Sequence, residues 1–147
     1  MNAQDNKRLV MEGYQKYQNG DIPGLLTMFH DDALWIEPDV ENVPFAGRHT
    51  GKSEIARFFQ DLDRAAQALR FTPKEFIAEG DKVVVIGEAS WLVRHTGSTY
   101  DSPWVHIFTL RDGKVARFEE YHDTAASERA YRPDQPGRTP AETPLHH

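Results

Sequence analysis

The sequence predicts an α+β fold in which helices precede most of an antiparallel sheet. Within residues 5–69, apolar residues recur at helical spacing. Residues 71–123 instead form extended apolar segments separated by the short turn sequences EGD, TGS and DG, which suit antiparallel hairpins. Helices followed by a run of strands is the order typical of α+β domains.

Three helices are predicted in the N-terminal half. The first covers residues 5–19 and ends at the glycine of Asn19-Gly20. A second, short helix runs from Asp21, which suits an N-cap, through Phe29. The third begins near Gly51, and its apolar stripe is expected to pack in the core; its members are Ile55, Phe58, Phe59, Leu62, Ala66 and Leu69.

The strands are predicted from short apolar runs. The first covers residues 33–37 and stops at Pro38, and a loop is expected over residues 38–50 because of its prolines and glycine. Four later strands are expected near 71–78, 82–94, 99–111 and 114–123. The expected product is a four- or five-stranded antiparallel sheet.

Composition limits the class of protein. The 147 residues suit one domain, predicted over 1–131, while 132–147 holds four of the nine prolines and is expected to be an extended tail. The net charge is −6 with no basic cluster, so no nucleic-acid partner is expected. No apolar run approaches the length of a membrane span and no signal peptide precedes the domain, so a cytoplasmic protein without a membrane partner is expected.

Several polar residues lie on otherwise apolar strands. Side chains alternate along a strand, so Glu37 shares a face with Trp35, and His106 shares one with Trp104. His106 is either a core histidine satisfied by a hydrogen bond or a pocket histidine that moves a proton. The strand at 115–123 carries charge on both faces, so its orientation stays open. No metal site is expected, because no H-E-x-x-H or H-x-H spacing occurs.

Three segments together resemble the SnoaL-like branch of the NTF2-like superfamily, which includes ketosteroid isomerases and polyketide cyclases. They are NGDIPGLLTMFHDDALWIEP, PFAGRHTGKSEIARFF and HIFTLRDGKVARFEEYHD. The resemblance covers about residues 5–125. It implies a cone-shaped, cystatin-like α+β fold with three N-terminal helices packed in a curved antiparallel sheet, an apolar pocket at the open end, and a homodimer formed through the outer sheet face.

The resemblance also implies roles for individual residues. In the steroid isomerases a carboxylate followed by proline is the general base, and Glu37 holds that position here. His106 lies where the isomerases carry an acidic oxyanion donor. The position of their first-helix tyrosine falls on Gly13, next to Tyr14 and one turn before Tyr17, so steroid isomerisation itself is not expected.

These expectations combine into a site and a function. Glu37 and His106 are predicted to be catalytic and, by strand parity, to point into one cavity with Trp35 and Trp104. The expected activity is that of an isomerase, a polyketide cyclase-like enzyme or a dehydratase-like lyase. Such an enzyme would act on a small hydrophobic molecule without a cofactor. A non-catalytic ligand-binding module and a structural dimer module are the alternatives. The residues predicted to bind the substrate are Tyr17, Trp35, Phe59, Trp104, Phe118, Glu120 and His122.

Overall fold

The computed structural model describes residues 2–133. Within them lie four helices, α1 (Ala3–Gln18), α2 (Ile22–Leu26), α3 (Gly51–Ala65) and α4 (Thr124–Tyr131). The strands are β1 (Phe29–Ile36), β2 (Arg48–Thr50), β3 (Ala66–Glu79), β4 (Lys82–Val93), β5 (Thr99–Arg111) and β6 (Lys114–His122). No helix in the described part of the chain is long and apolar enough to cross a membrane.

The strands form one curved, open sheet in the order β2-β1-β6-β5-β4-β3. Neighbouring strands are antiparallel except β1 and β6, which pair in parallel. The long strand β3 carries two register shifts, near Ala68 and near Pro73, and such bulges bend a strand. The predicted α+β class and the curved sheet are therefore confirmed, with six strands rather than four or five.

Four local predictions differ from the structure. β1 already begins at Phe29, where the second helix was expected to continue, and the expected loop 38–50 ends in the short strand β2. Helix α3 ends at Ala65, because Ala66 adopts an extended conformation and starts β3. Leu69, predicted on the buried helical stripe, is therefore a strand residue and is 52% exposed. Helix α4 was not predicted, and the expected tail lies outside the described residues from position 134 onward.

The first and third helices cover the concave face of the sheet. At the start of α1, Asn2 and Asp5 form a reciprocal capping box. The buried residues of α1 are Asn6, Val10 and Tyr14, which recur every fourth position on one face. Helix α1 packs against β3 and β4, and α3 packs against β1. This packing directs the Tyr14 side chain toward the inner face of the central strands.

The convex face of the sheet carries an apolar patch. Val105 and Ile107 lie on this outer face, as predicted. Trp91 and Val93, which the sequence suggested as further members, lie on the inner face, because the buried set of β4 alternates from Val83. The outer patch, defined by the strand registers, consists of Ile77, Val84, Ile86, Val105, Ile107 and Tyr121.

We expect this outer patch to form a two-fold symmetric homodimer. Ile77 and Tyr121 are 53% and 56% exposed, and leaving apolar area in water costs about 25 cal/mol per Å². Light scattering at micromolar concentration should give twice the monomer mass, and Ile86→Lys, in the middle of the patch, should give the monomer mass. Met11→Lys is the control, because Met11 is 41% exposed but lies on α1. A monomeric wild-type protein contradicts the expectation.

Candidate functional site

The site is built on the central strands β5 and β6. His106 and Glu120 lie directly opposite each other in the antiparallel register, which places both side chains on the same face of the sheet. His106 Nε2 is 2.9 Å from Glu120 Oε1. The other carboxylate oxygen, Oε2, is 2.7 Å from His122 Nδ1. One carboxylate therefore has a histidine partner on each of its oxygens.

The hydrogen bonds determine the protonation pattern around His106. Burial alone would raise the pKa of Glu120, but the hydrogen bonds of His106 and His122 outweigh it and hold this pKa below its usual range. Burial lowers the pKa of His106, against the opposing effect of Glu120. A neutral His106 therefore donates its Nε2–H to the ionised carboxylate, and its Nδ1 accepts a hydrogen bond. The donor is the Tyr14 hydroxyl, at 2.6 Å.

Glu37 lies beside this pair but has a different charge. It directly follows β1 and is only 4% exposed. Burial, the negative charge of Glu120 and a hydrogen bond with Glu120 raise its pKa well above the usual range, while the indole N–H of Trp35, donated to Oε2 at 2.9 Å, lowers it. Glu37 is therefore a neutral acid that donates to Glu120. This protonation disfavours the predicted role of Glu37 as a resting general base.

The line of contacts continues beyond His122. Its Nε2 is 3.1 Å from the Ser127 hydroxyl oxygen. Ser127 lies in the first turns of α4 and is 2% exposed, and Asp123 caps this helix by accepting from the Ala126 amide. Ser127 of α4 is thus the last residue in the line of side-chain contacts that begins at Tyr14.

Strand parity predicted one cavity, but the structure contains two adjoining cavities. The first, called here the apolar cavity, has a volume of about 80 Å³. Its walls include Tyr14, Tyr17, Trp35, Phe59, His106, Phe118 and Glu120. The second, called the polar cavity, has a volume of about 40 Å³. Its walls include Glu37, Tyr100, Ser102, Glu120, His122, Ser127 and Tyr131.

A larger groove of about 1010 Å³ lies next to these cavities, between the ends of the helices and the start of β3. It shares Tyr17, Phe59 and Phe71 with the apolar cavity. Leu62 and Trp91 border the groove and both cavities. These two side chains therefore stand where the three spaces meet.

Trp104 supports the site from behind rather than lining either cavity. It is 4% exposed and stacks on His106 with ring centroids 3.9 Å apart. The opposite residue in the register is Gly87, and a Cβ there would lie 2.3 Å from the indole ring. A glycine in a strand interior often marks such a close approach. Trp104, predicted to bind substrate, thus fixes the plane of the His106 ring instead.

The predicted site residues are divided between the two cavities. Trp35 stacks on Phe118 at 3.7 Å, because the two are partners in the parallel β1–β6 register. Glu37 and His122 line only the polar cavity, and Glu120 lines both. Strand β6 is thereby oriented, with Phe118, Glu120 and His122 facing inward.

Sequence reasoning missed two residues of this site. Counting along the resemblance reaches Gly13 rather than Tyr14, although Tyr14 shares the buried face of α1 with Val10. Ser127 carried no local signal, because its role depends on the fold of α4. Within residues 2–133, histidine and acidic side chains form no group of three or more suited to a metal ion.

The fold and the site define a small domain whose curved sheet and helices enclose an aromatic cavity with buried acid-base groups. The chain belongs to the SnoaL-like domain family, which matches residues 10–118. Comparison with curated proteins gives no match.

Solved structures agree with this assignment. An NTF2-like protein from Burkholderia xenovorans LB400 is 35% identical, covers 90% of this chain and 99% of its own, and has a TM-score of 0.82. An NTF2-like protein from Burkholderia pseudomallei K96243 is 27% identical over 86% of this chain and 97% of its own, with a TM-score of 0.80. TerC, co-crystallised with polyporic acid, is 30% identical over 86% of this chain and 98% of its own, with a TM-score of 0.77.

The neutral state of Glu37 has a measurable effect on stability. Above the ordinary glutamate pKa of about 4.3, the unfolded chain loses a proton that folded Glu37 retains. Stability from this group therefore falls as pH rises toward the raised pKa. A glutamine at this position has no proton to lose and keeps both an acceptor for Trp35 and a donor for Glu120. In urea unfolding between about pH 5 and 8, Glu37→Gln should gain up to about 1.4 kcal/mol per pH unit relative to wild type.

Glu88→Gln is the matched control for this measurement. The hydrogen bond and charge of Lys74 lower the pKa of Glu88, so Glu88 is ionised in both states above about pH 5 and the difference from wild type should stay flat. A Glu37→Gln difference that is equally flat would show that folded Glu37 is ionised.

Proposed function

We propose that the protein is a cofactor-independent enzyme that moves a proton on a small hydrophobic, ring-containing substrate, as an isomerase, cyclase or lyase other than a steroid isomerase. The observation that supports this proposal is the hydrogen-bonded relay from the apolar cavity into the protein. It runs from the Tyr14 hydroxyl through His106 to the ionised Glu120. A buried relay of this kind provides a base and the counter-charge that its conjugate acid needs.

Tyr14 is the group that contacts the substrate in this proposal. Its proton is directed to His106 Nδ1, so its oxygen retains lone pairs that accept a proton from the substrate. As the substrate proton moves to the Tyr14 oxygen, the original phenolic proton moves to Nδ1. The positive imidazolium then forms next to the Glu120 carboxylate. The substrate keeps the electron pair of the broken bond.

The fate of that electron pair selects the reaction. Return of the proton to a different carbon is an isomerisation, attack of the carbanion on a carbonyl carbon closes a ring, and expulsion of a leaving group is a lyase reaction. Burial and the charge of Glu120 raise the pKa of Tyr14, so a free phenolate does not accumulate and the two proton movements are concerted. The substrate proton must therefore be acidic, as in a hydroxyl or a C–H beside a carbonyl group.

The walls of the apolar cavity support a flat, apolar substrate. Trp35, Phe59 and Phe118 present ring faces and edges to this cavity, which favours stacking and apolar contact. Its volume of about 80 Å³ is smaller than the roughly 150 Å³ of a cavity that admits benzene. A bound ring would therefore extend past Leu62 and Trp91 into the neighbouring groove. The co-crystal of TerC with polyporic acid is consistent with small-molecule binding.

Glu37 acts as a positioning residue in this proposal. Its neutral carboxyl donates a hydrogen bond to Glu120 and keeps that carboxylate oriented toward the two histidines. The substrate proton does not pass through Glu37. The sequence-based expectation assigned the proton transfer to Glu37 itself, so the two assignments predict opposite effects of the same substitutions.

A non-catalytic binding module is the second candidate, and the nearly continuous apolar lining of the first cavity favours it. In that case affinity depends on apolar contact area. Trp35→Ala would weaken binding strongly, while removal of the Tyr14 hydroxyl would change affinity little and no turnover would be found.

The test begins with a thermal-shift screen of hydrophobic carbonyl compounds and continues with kinetics on the compounds that are converted. Tyr14→Phe removes only the relay hydroxyl and should lower kcat by about 10²- to 10⁴-fold, with ligand affinity changed only a few-fold. Glu37→Gln should lower kcat by less than about tenfold, because glutamine reproduces the neutral acid. Tyr121→Phe, an exposed tyrosine on the outer face, is the matched control.

The relative losses of kcat in Tyr14→Phe and Glu37→Gln decide which of the two residues accepts the substrate proton. A large loss of kcat in Glu37→Gln together with a small loss in Tyr14→Phe would return the proton transfer to Glu37. Ligands that bind without conversion, with affinity insensitive to Tyr14→Phe and strongly reduced by Trp35→Ala, would establish the binding module instead.

A further inference from the structure

The polar cavity contains an arrangement that the Tyr14 relay does not use. Glu120 Oε2 contacts His122 Nδ1 at 2.7 Å, and His122 Nε2 contacts the Ser127 hydroxyl at 3.1 Å. We propose that Glu120, His122 and Ser127 form an acyl-transfer triad in which Ser127 is the nucleophile and a short-chain ester is the substrate. This activity goes beyond the proton transfer proposed above and uses the opposite side of the same carboxylate.

The hydrogen-bond directions match the requirement of such a triad. Glu120 is ionised and only accepts, so His122 donates its Nδ1–H to it. In the tautomer with a proton on Nδ1 the lone pair is on Nε2, which faces the Ser127 hydroxyl. In serine-histidine-acid triads the acid is hydrogen-bonded to Nδ1 of the histidine and the serine hydroxyl to Nε2, as here. Such triads recur on unrelated folds and are recognised by this geometry.

Ser127 is free to present its proton to the histidine. The carbonyl oxygen of Thr124 is also 3.1 Å from the Ser127 oxygen, so the hydroxyl proton has two acceptors at the same distance. Rotation about the C–O bond moves the proton from the Thr124 carbonyl to His122. A purely structural serine needs only the first of these bonds, since the helix carbonyl already satisfies its proton.

The surroundings of Ser127 limit the substrate to a short acyl group. The polar cavity has a volume of about 40 Å³, which is room for about three waters at 10–15 Å³ each and comparable to an acetyl or propionyl group. The Ser102 hydroxyl lines the same cavity and is a donor for a developing oxyanion. The alcohol portion of the ester would extend past Leu62 and Trp91 into the neighbouring groove.

The proposed reaction consists of two balanced steps. The Ser127 oxygen bonds to the carbonyl carbon, its proton passes to His122 Nε2, and the carbon–oxygen bond to the alcohol breaks as that proton is given to the departing alcohol. Water then attacks the acyl-serine by the same route, which releases a carboxylic acid and restores the hydroxyl. No oxidant, metal or cofactor takes part in either step.

The nucleophile of this site lies outside the Tyr14 relay and outside the family segment, although Glu120 belongs to both arrangements. Glu120, His122 and Ser127 all lie after residue 118, where the family match ends. The hydrogen bonds of the Ser127 hydroxyl go to His122 and Thr124 and not to the relay residues, so its loss leaves the proton relay intact. Failure of this inference and failure of the proposed proton transfer are therefore distinguishable.

The experiment treats the full-length protein with methanesulfonyl fluoride, a small reagent that forms an oxygen–sulfur bond with an activated serine as fluoride leaves. Intact mass should show one methanesulfonyl group per chain, and peptide mapping should place it on Ser127. His122→Gln should slow labelling by about 10²-fold or more, and Ser127→Ala should abolish it. Ser98→Ala is the matched control, because Ser98 is also buried (3% exposed) and its hydroxyl has no partner within the described residues.

A second readout uses p-nitrophenyl acetate. The wild type should release a burst of one equivalent of nitrophenol per chain, and Ser127→Ala should lack it while retaining any proton-transfer activity. Absence of an adduct on Ser127 in the folded wild type, or equal labelling rates in wild type and His122→Gln, overturns the proposal. Mapping of the wild-type adduct keeps the test decisive even where a variant does not fold.

Discussion

The buried carboxylate of Glu120 is the constraint on which the rest of the site depends. Removing a carboxylate from water costs several kcal/mol unless hydrogen bonds and opposite charge compensate. Here one imidazole donates to each oxygen, from His106 at 2.9 Å and His122 at 2.7 Å. Burial and the ionised Glu120 together raise the pKa of Glu37, and the same carboxylate selects the tautomer of both histidines and thereby orients the Tyr14 hydroxyl. The β5–β6 register places His106 opposite Glu120, while the end of β1 and helix α1 supply Glu37 and Tyr14.

Aromatic packing holds this network in place. The His106 ring stacks on Trp104, with ring centroids 3.9 Å apart, and the Tyr14 hydroxyl contacts its Nδ1 at 2.6 Å. Phe71 stacks on the far part of Trp104, and the bare backbone of Gly87 leaves room for the indole. An imidazole that stacks on an indole and is hydrogen-bonded at both nitrogens cannot turn over easily, so its two nitrogens keep distinct partners. Rigid support of this kind is what an acid-base group needs in order to act at one atom of a ligand.

Sequence patterns predicted the elements that have strong periodicity. The apolar stripe of α3 predicted that helix, the turns at EGD and DG predicted the β3–β6 meander, and alternation along β5 placed His106 on the inner face. Patterns failed where tertiary contacts determine the local secondary structure. Ala66 continues a helical stripe but belongs to a strand, and the three residues of β2 are too few to carry a pattern.

The site residues show the same division between what a local pattern predicts and what tertiary contacts determine. Glu120 and His122 were predicted to bind the substrate, and they share parity with Phe118, but charge on both faces left the orientation of their strand open. The separation of Glu37 from the apolar cavity depends on how the segment after β1 folds over α4, and the charge of Glu37 depends on its neighbour across the sheet. Neither property is encoded within a local window of sequence.

Leu62 and Trp91 border the groove and both cavities, and this position has an evolutionary consequence. A smaller side chain at either position would widen all three compartments at once, because each of them loses part of a wall. A lineage under selection for a bulkier ligand would therefore gain room by a single change here, with the buried carboxylate and its histidines left in place.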